Sequence, residues 1–141
     1  MKAVQYQAYG GFSENRLVDL SRPEIKDGEV LVQMETVGIN PLDNTLRSGG
    51  HYAATPENLP RIGGQTGVGM IVESKSERFA VGNRVFVRVP GFGVVADGTW
   101  REFAPVAEAG VWLVPDNITA HLSQPRAKSF QCRRLPKRFD I

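Results

Sequence analysis

Apolar and polar residues alternate in short runs along most of this chain, and Gly, Pro, Asn or Asp interrupts each run. "KAVQYQA" alternates and stops at Gly10–Gly11; "ENRLVDLSRPEI" holds a second short run ended by Pro23. "DGEVLVQMETVGIN" opens on an Asp27–Gly28 turn and places Val30, Val32, Met34 and Thr36 on one face. "GVGMIVES", "NRVFVRV", "GTWREFAPV" and "GVWLVP" follow as four further β-rich runs. Closely spaced short strands with almost no helix predict a β-barrel or sandwich. The ordered domain is expected over residues 1–118, since the alternation weakens after Pro115.

One stretch breaks the strand pattern. "GINPLDNTLRSGGHY" predicts a short helix near Pro41–Ser48, with Asn40 at the N-cap and proline at the first helical position. Asp43 falls at the third helical position, near the positive end of the helix dipole, and Gly49–Gly50 ends the helix. "HYAATPENLPRIGG" reads as a loop.

The 141 residues carry 41% hydrophobic and 23% charged residues, so a single domain can bury its own core without covalent staples. One cysteine, Cys132, excludes an internal disulfide and points to a reducing compartment. The segment "MKAVQYQAYGG" has no apolar signal core, and no run approaches eighteen apolar residues. A cytoplasmic protein with no membrane association is expected.

The formal charge of +2 is unevenly spread: residues 121–141 hold six basic residues against Asp140, while the remainder is acidic by three. That basic tail, 119–141, is expected to be poorly ordered. It has two aromatics, Phe130 and Phe139, and no groove-reading motif, which argues against a nucleic-acid partner.

Two glycine-rich stretches imitate a dinucleotide fingerprint, Gly91-x-Gly93-x-x-Ala96 and Gly63 to Gly69. The fingerprint works only where a helix begins at the glycines and turns its N-terminus on the pyrophosphate. Both stretches run into strand patterns instead, so both are set aside. His51, His121 and Cys132 do not fall at metal-ligand spacing, and no Gly-x-Ser-x-Gly elbow occurs.

The order of the motifs is more informative than any one of them. "MKAVQYQAYGG", "DGEVLVQMETVGINPLDNTLRSGGHY", "LPRIGGQTGVGMIVES", "FAVGNRVFV" and "GTWREFAPV" together resemble the N-terminal half of medium-chain dehydrogenases/reductases. Within them the chain is similar to the zinc-free quinone oxidoreductase (zeta-crystallin-like) branch. The resemblance implies a GroES-like, mostly β, partly open barrel that carries much of the substrate pocket. It also implies hydride transfer from NADPH to a quinone or activated alkene (enone).

In the zinc-dependent relatives a Cys before the short helix and a His in a Gly-His-Glu motif hold catalytic zinc. The matching positions here are Asn40 and Gln65, with Thr66 in place of the Glu. Amides and hydroxyls do not replace thiolate and imidazole as zinc ligands, so no catalytic metal is expected. The resemblance places Asn40 and Tyr52 at the catalytic position, where donors stabilise charge on the substrate oxygen. It places Asn40, Arg47, Gln65 and Thr66 near the cofactor, although Arg47 reads more simply as an exposed helix arginine.

After "VPDNIT" the family continues into an α/β dinucleotide-binding domain, whereas "AHLSQPRAKSFQCRRLPKRFDI" has no βαβ pattern. The expectation is that this chain has no Rossmann domain, binds no NADPH alone and is inactive alone. The alternative reading is a non-enzymatic GroES-like module that forms a homodimer or binds another protein, its basic tail adding affinity.

Overall fold

Strand pairing builds almost everything in the computed structural model, which describes residues 1–115, 117–118 and 133–134. The strands are β1 (Lys2–Tyr6), β2 (Asn15–Asp19), β3 (Glu29–Val37), β4 (Arg61–Ile62), β5 (Thr66–Ser74), β6 (Arg84–Arg88), β7 (Phe103–Ala107), β8 (Val111–Leu113) and β9 (Arg133–Arg134). The α-helix α1 (Pro41–Arg47) follows β3, and short 3-10 turns lie at Phe12–Glu14, Pro56–Asn58 and Glu108–Gly110.

The strands form two sheets, β2-β1-β4 and β7-β3-β5-β6-β8, with β9 also paired to β3, and every named pair is antiparallel. Residues 98–102 lace the sheets together. Arg101 bridges Ala3, the Val4 N–H donates to the Trp100 carbonyl at 2.8 Å, and the Met34 N–H donates to that of Glu102 at 2.8 Å. The result is the partly open, mostly β barrel that the sequence predicts, with one short α-helix.

β3 is the central strand. It is flanked along its length by β5 on one edge and by β7 and β9 on the other. Val30, Val32 and Met34 enter the main core with Val37, Ile71, Phe79, Val85, Val87, Phe92, Ala104, Val106 and Val111. Leu31 points to the opposite face and is fully buried as well, so the strand is apolar on both faces here instead of strictly alternating. Each such fully buried Val or Leu contributes about 1.5–3 kcal/mol by leaving water.

Trp100 locks the lacing segment in place. Its indole Nε1 donates to the Gly38 carbonyl at 3.1 Å, and its ring lies on the backbone of Gly63 and Gly64. A Cβ at Gly63 would stand 2.6 Å from the ring, and one at Gly64 would stand 2.3 Å from it. Gly64 also has φ +92°, in the left-handed region that glycine occupies without penalty. These glycines are there for the tryptophan.

Two sequence expectations need correction. The stretch read wholly as loop contains the 3-10 turn Pro56–Asn58 and β4, because Arg61 and Ile62 pair with Tyr6 and Gln5 across the sheet. A two-residue strand has too few positions to show alternation. The run "GTWREFAPV" becomes strand only at Phe103, because its first residues are turned to seat Trp100 on Gly63–Gly64. The basic tail expected at 119–141, with His121 and Cys132, lies outside the described residues apart from Arg133–Arg134. Among the described residues no helix is long and apolar enough to cross a membrane.

Gly64→Ala combines left-handed strain with overpacking against Trp100, and should cost roughly 3 kcal/mol or abolish folding. Gly11→Ala, where a new Cβ meets only the Ser13 hydroxyl at 3.8 Å, should change stability by less than about 0.5 kcal/mol. Urea denaturation midpoints of the two variants test the contrast, and equal midpoints would refute it.

Candidate functional site

The short helix starts where the sequence places it. Asn40 is extended, with φ −114° and ψ 158°, Pro41 occupies the first turn, and the chain closes at Gly49 with φ +84°. Seven residues are too few for a helix to persist alone in water, so side-chain anchors must hold this one. Leu46 is one, buried to 2% exposure. Asp43 and Arg47 are the others.

Asp43 is 4% exposed. Its Oδ2 accepts the Asn40 N–H at 2.7 Å, which is the carboxylate half of a capping box, and its Oδ1 accepts the Gln65 side-chain amide at 3.4 Å. Burial raises its pKa above the ordinary 3.8, against the opposing pull of hydrogen bonds from Asn40, Gln65 and the Gly64 backbone. Tyr6, 2% exposed, shares this interior; burial first, then the neighbouring Tyr9 and Asp43, push its phenol up to about 12. Asn40 and Gln65, distant in sequence, are thus brought to one buried carboxylate.

Gln65 also lines a cavity of about 430 Å³ with Leu42, Arg88, Val89, Phe92, Val94 and Trp112. Its wall is mostly apolar, with Gln65 and Arg88 as the lining residues that bear polar side chains. That is the composition of a small-molecule site: apolar area for affinity and a few polar groups for orientation. The sequence signal for its wall was present but hidden, because Phe92 and Val94 belong to the glycine stretch that imitates a nucleotide fingerprint. In the structure Gly91 to Ala96 is a turn closed by the Gly93 N–H to the Ala96 carbonyl at 2.8 Å, and no helix starts there.

The remaining predicted positions separate. Thr66 opens β5, and its carbonyl accepts both the Gly38 N–H and the Thr99 hydroxyl at 2.9 Å. Tyr52 stands 90% exposed on the loop after α1, its ring 4.3 Å from that of His51. Arg47 departs from the expected exposed arginine: it is 4% exposed. Its guanidinium donates to the Gly10 carbonyl and to Asn44 Oδ1, and it lies 4.5 Å over the Phe12 ring. Burial is tolerated because five fixed donors can meet backbone and amide acceptors while the flat face rests on an aromatic ring.

Residues 26–116 match the alcohol dehydrogenase GroES-like domain. The chain is 37% identical over 116 residues to the mitochondrial enoyl-[acyl-carrier-protein] reductase of Arabidopsis thaliana, covering 79% of this chain and 28% of that protein. It is 31% identical over 121 residues to the quinone oxidoreductase of Homo sapiens, covering 84% and 35%. Among solved structures, the quinone oxidoreductase of Thermus thermophilus, also seen in complex with NADPH, superposes with a TM-score of 0.67 at 30% identity, over 86% of this chain and 35% of that one. The chain therefore spans about a third of the length of the curated relatives it matches.

The raised pKa of Asp43 carries a stability consequence with a definite sign. The folded chain holds this proton more tightly than the unfolded chain does. Its contribution is complete below the ordinary value of 3.8 and is lost as pH rises through the raised folded value. Asp43→Asn should remove that component, so the difference in stability between wild type and variant should shift with pH across this window. Urea midpoints measured from about pH 4 to 7 test it. The opposite contribution of Asp19, lowered by Lys2 and the N-terminus, is common to both proteins and cancels. A pH-independent difference would refute the assignment.

Proposed function

This chain belongs to the alcohol dehydrogenase GroES-like family, in the quinone oxidoreductase branch of the medium-chain dehydrogenases/reductases, and from that premise we propose that it is the substrate-side domain of a reductase acting on quinones or activated alkenes. The carrying observation is the mostly apolar 430 Å³ cavity beside α1, with the Gln65 amide in its wall. A flat, weakly polar ring suits such a wall, and Trp112 and Phe92 offer aromatic surface to it. The names of the human and Thermus relatives, quinone oxidoreductases both, support the same substrate class.

NADPH is the reductant this reading implies, and its phosphates find no cradle among the described residues. The two glycine-rich stretches are spent on a turn and on the Trp100 contact, and the N-terminus of α1 is already capped by Asp43. The chain's own residues bind and orient the acceptor. Gln65 is the residue we assign to orienting the acceptor, since Asn40 and Tyr52, the donors the family resemblance implies, do not line this cavity and Tyr52 stands 90% exposed. Arg47 we assign to anchoring the loop at Gly10.

Two outcomes follow. Tetramethyl-1,4-benzoquinone, whose full substitution blocks thiol addition, should quench Trp112 fluorescence saturably with a Kd of about 0.1–1 mM, as expected for so small a ligand. Trp112→Phe should lose the quench while Trp100 emission persists. NADPH titrated into the same 141-residue chain should show no micromolar binding, and NADPH-dependent quinone reduction should stay at background. A missing quench would favour the non-enzymatic, self-associating module, and micromolar NADPH binding would overturn the absence of a phosphate cradle.

Zinc chemistry is not part of the proposal, because Asn40 and Gln65 stand where a metal would need thiolate and imidazole. After exhaustive dialysis, elemental analysis should give well under one zinc per chain; one retained zinc would refute this.

A further inference from the structure

Gln65 presents one of two chemically different ends to the cavity, and the structure selects which. Asp43 Oδ2 is taken by the Asn40 N–H, and Oδ1 faces Gln65 Nε2 at 3.4 Å. A carboxylate has only acceptors, so the Gln65 amide must turn its NH2 toward Asp43. Its Oε1 is the end left for the cavity that Gln65 lines. Asp43 is 4% exposed, so water does not compete freely for that contact.

We propose that Asp43 is a positioning residue that fixes the Gln65 amide with its carbonyl oxygen toward the cavity, so that the cavity selects an aromatic ligand bearing a hydroxyl over the same ring without one. This rests on the cavity being the acceptor site and adds a direction of recognition to it. A quinone offers Gln65 Oε1 only carbonyl oxygens, whereas its reduced form offers hydroxyl donors. Without Asp43's negative charge the two amide orientations become nearly equivalent, and the discrimination fades.

The test uses the full 141-residue chain at about pH 8, far above the ordinary carboxylate range, and repeats it at a higher pH to check that the ratio no longer changes. The ligand pair is 1-naphthol and 1-methoxynaphthalene, which share a ring and differ in the donor. Wild type should bind the naphthol about 5-fold more tightly, the effect of one hydrogen bond. Asp43→Asn should bring the ratio close to one. Gln65→Met, which removes the amide and keeps the volume, should do the same and covers the case in which the Asp43 variant does not fold. Independently of any ligand, the Gln65 side-chain NH2 resonances of the 15N-labelled chain should move on Asp43→Asn while core backbone resonances stay in place. If neither naphthalene binds but the Gln65 NH2 resonances follow Asp43, the cavity reading fails and the positioning stands. A wild-type ratio near one, or Gln65 resonances indifferent to Asp43→Asn, overturns the proposal.

Discussion

Trp100 resting on two bare backbone positions is the contact on which the rest of the barrel depends. Its ring occupies the space that side chains at Gly63 and Gly64 would fill, and its indole N–H reaches Gly38 at the end of β3. Just before it in the chain, the Gly98 N–H donates to the Ile62 carbonyl and the Thr99 N–H to that of Gly64, which ties the lacing segment to β4 and the approach to β5. Gln65 sits between Gly64 and Thr66, and Thr66 is held by Gly38 and by the Thr99 hydroxyl. The small sheet, the large sheet and the wall of the cavity are therefore placed by one aromatic side chain and the glycines beneath it. A side chain at either glycine would collide with the Trp100 ring, and at Gly64 with the Thr99 hydroxyl as well.

The same economy holds at α1. A seven-residue helix is weak on its own, and this one is fixed at its start by Asp43 and at its end by Arg47, both withdrawn from water. Neither charge has an oppositely charged partner in its hydrogen bonds: Asp43 is served by Asn40 and Gln65, Arg47 by Gly10 and Asn44. Neutral dipoles orient a buried charge without cancelling it, so the carboxylate keeps its power to order the amides around it. The carboxylate that caps α1 is thus the same one that receives the Gln65 amide.

What was legible in the sequence follows from what each signal is made of. The strands showed because alternation and turn residues are local, and α1 showed because Asn40, Pro41 and Gly49 are local cap signals. β4 did not, since a two-residue strand exists only through its partner β1. The burial of Arg47 did not either, because its acceptor at Gly10 is thirty-seven residues away and its aromatic support at Phe12 nearly as far. Asn40 and Gln65 could be picked out through the resemblance to a family. Asp43, which joins them, appeared in the sequence only as a favourable helix residue.

The glycine-rich stretches carry the sharpest lesson about function. A glycine signals that something must come close to the backbone, and the sequence alone does not say what. At Gly63 and Gly64 the visitor is an indole ring from the chain itself; at Gly93 it is the backbone of Gly64, whose nearest atom would stand 2.9 Å from an added Cβ. In both places the close approach is made by the protein's own atoms. What the two stretches leave open between them is the apolar cavity, bounded by Gln65 from one and by Gly91, Phe92 and Val94 from the other. Backbone crowded against backbone thus shapes the apolar wall itself, since the residues that close the turn at Gly93 are packed on the residue that precedes Gln65.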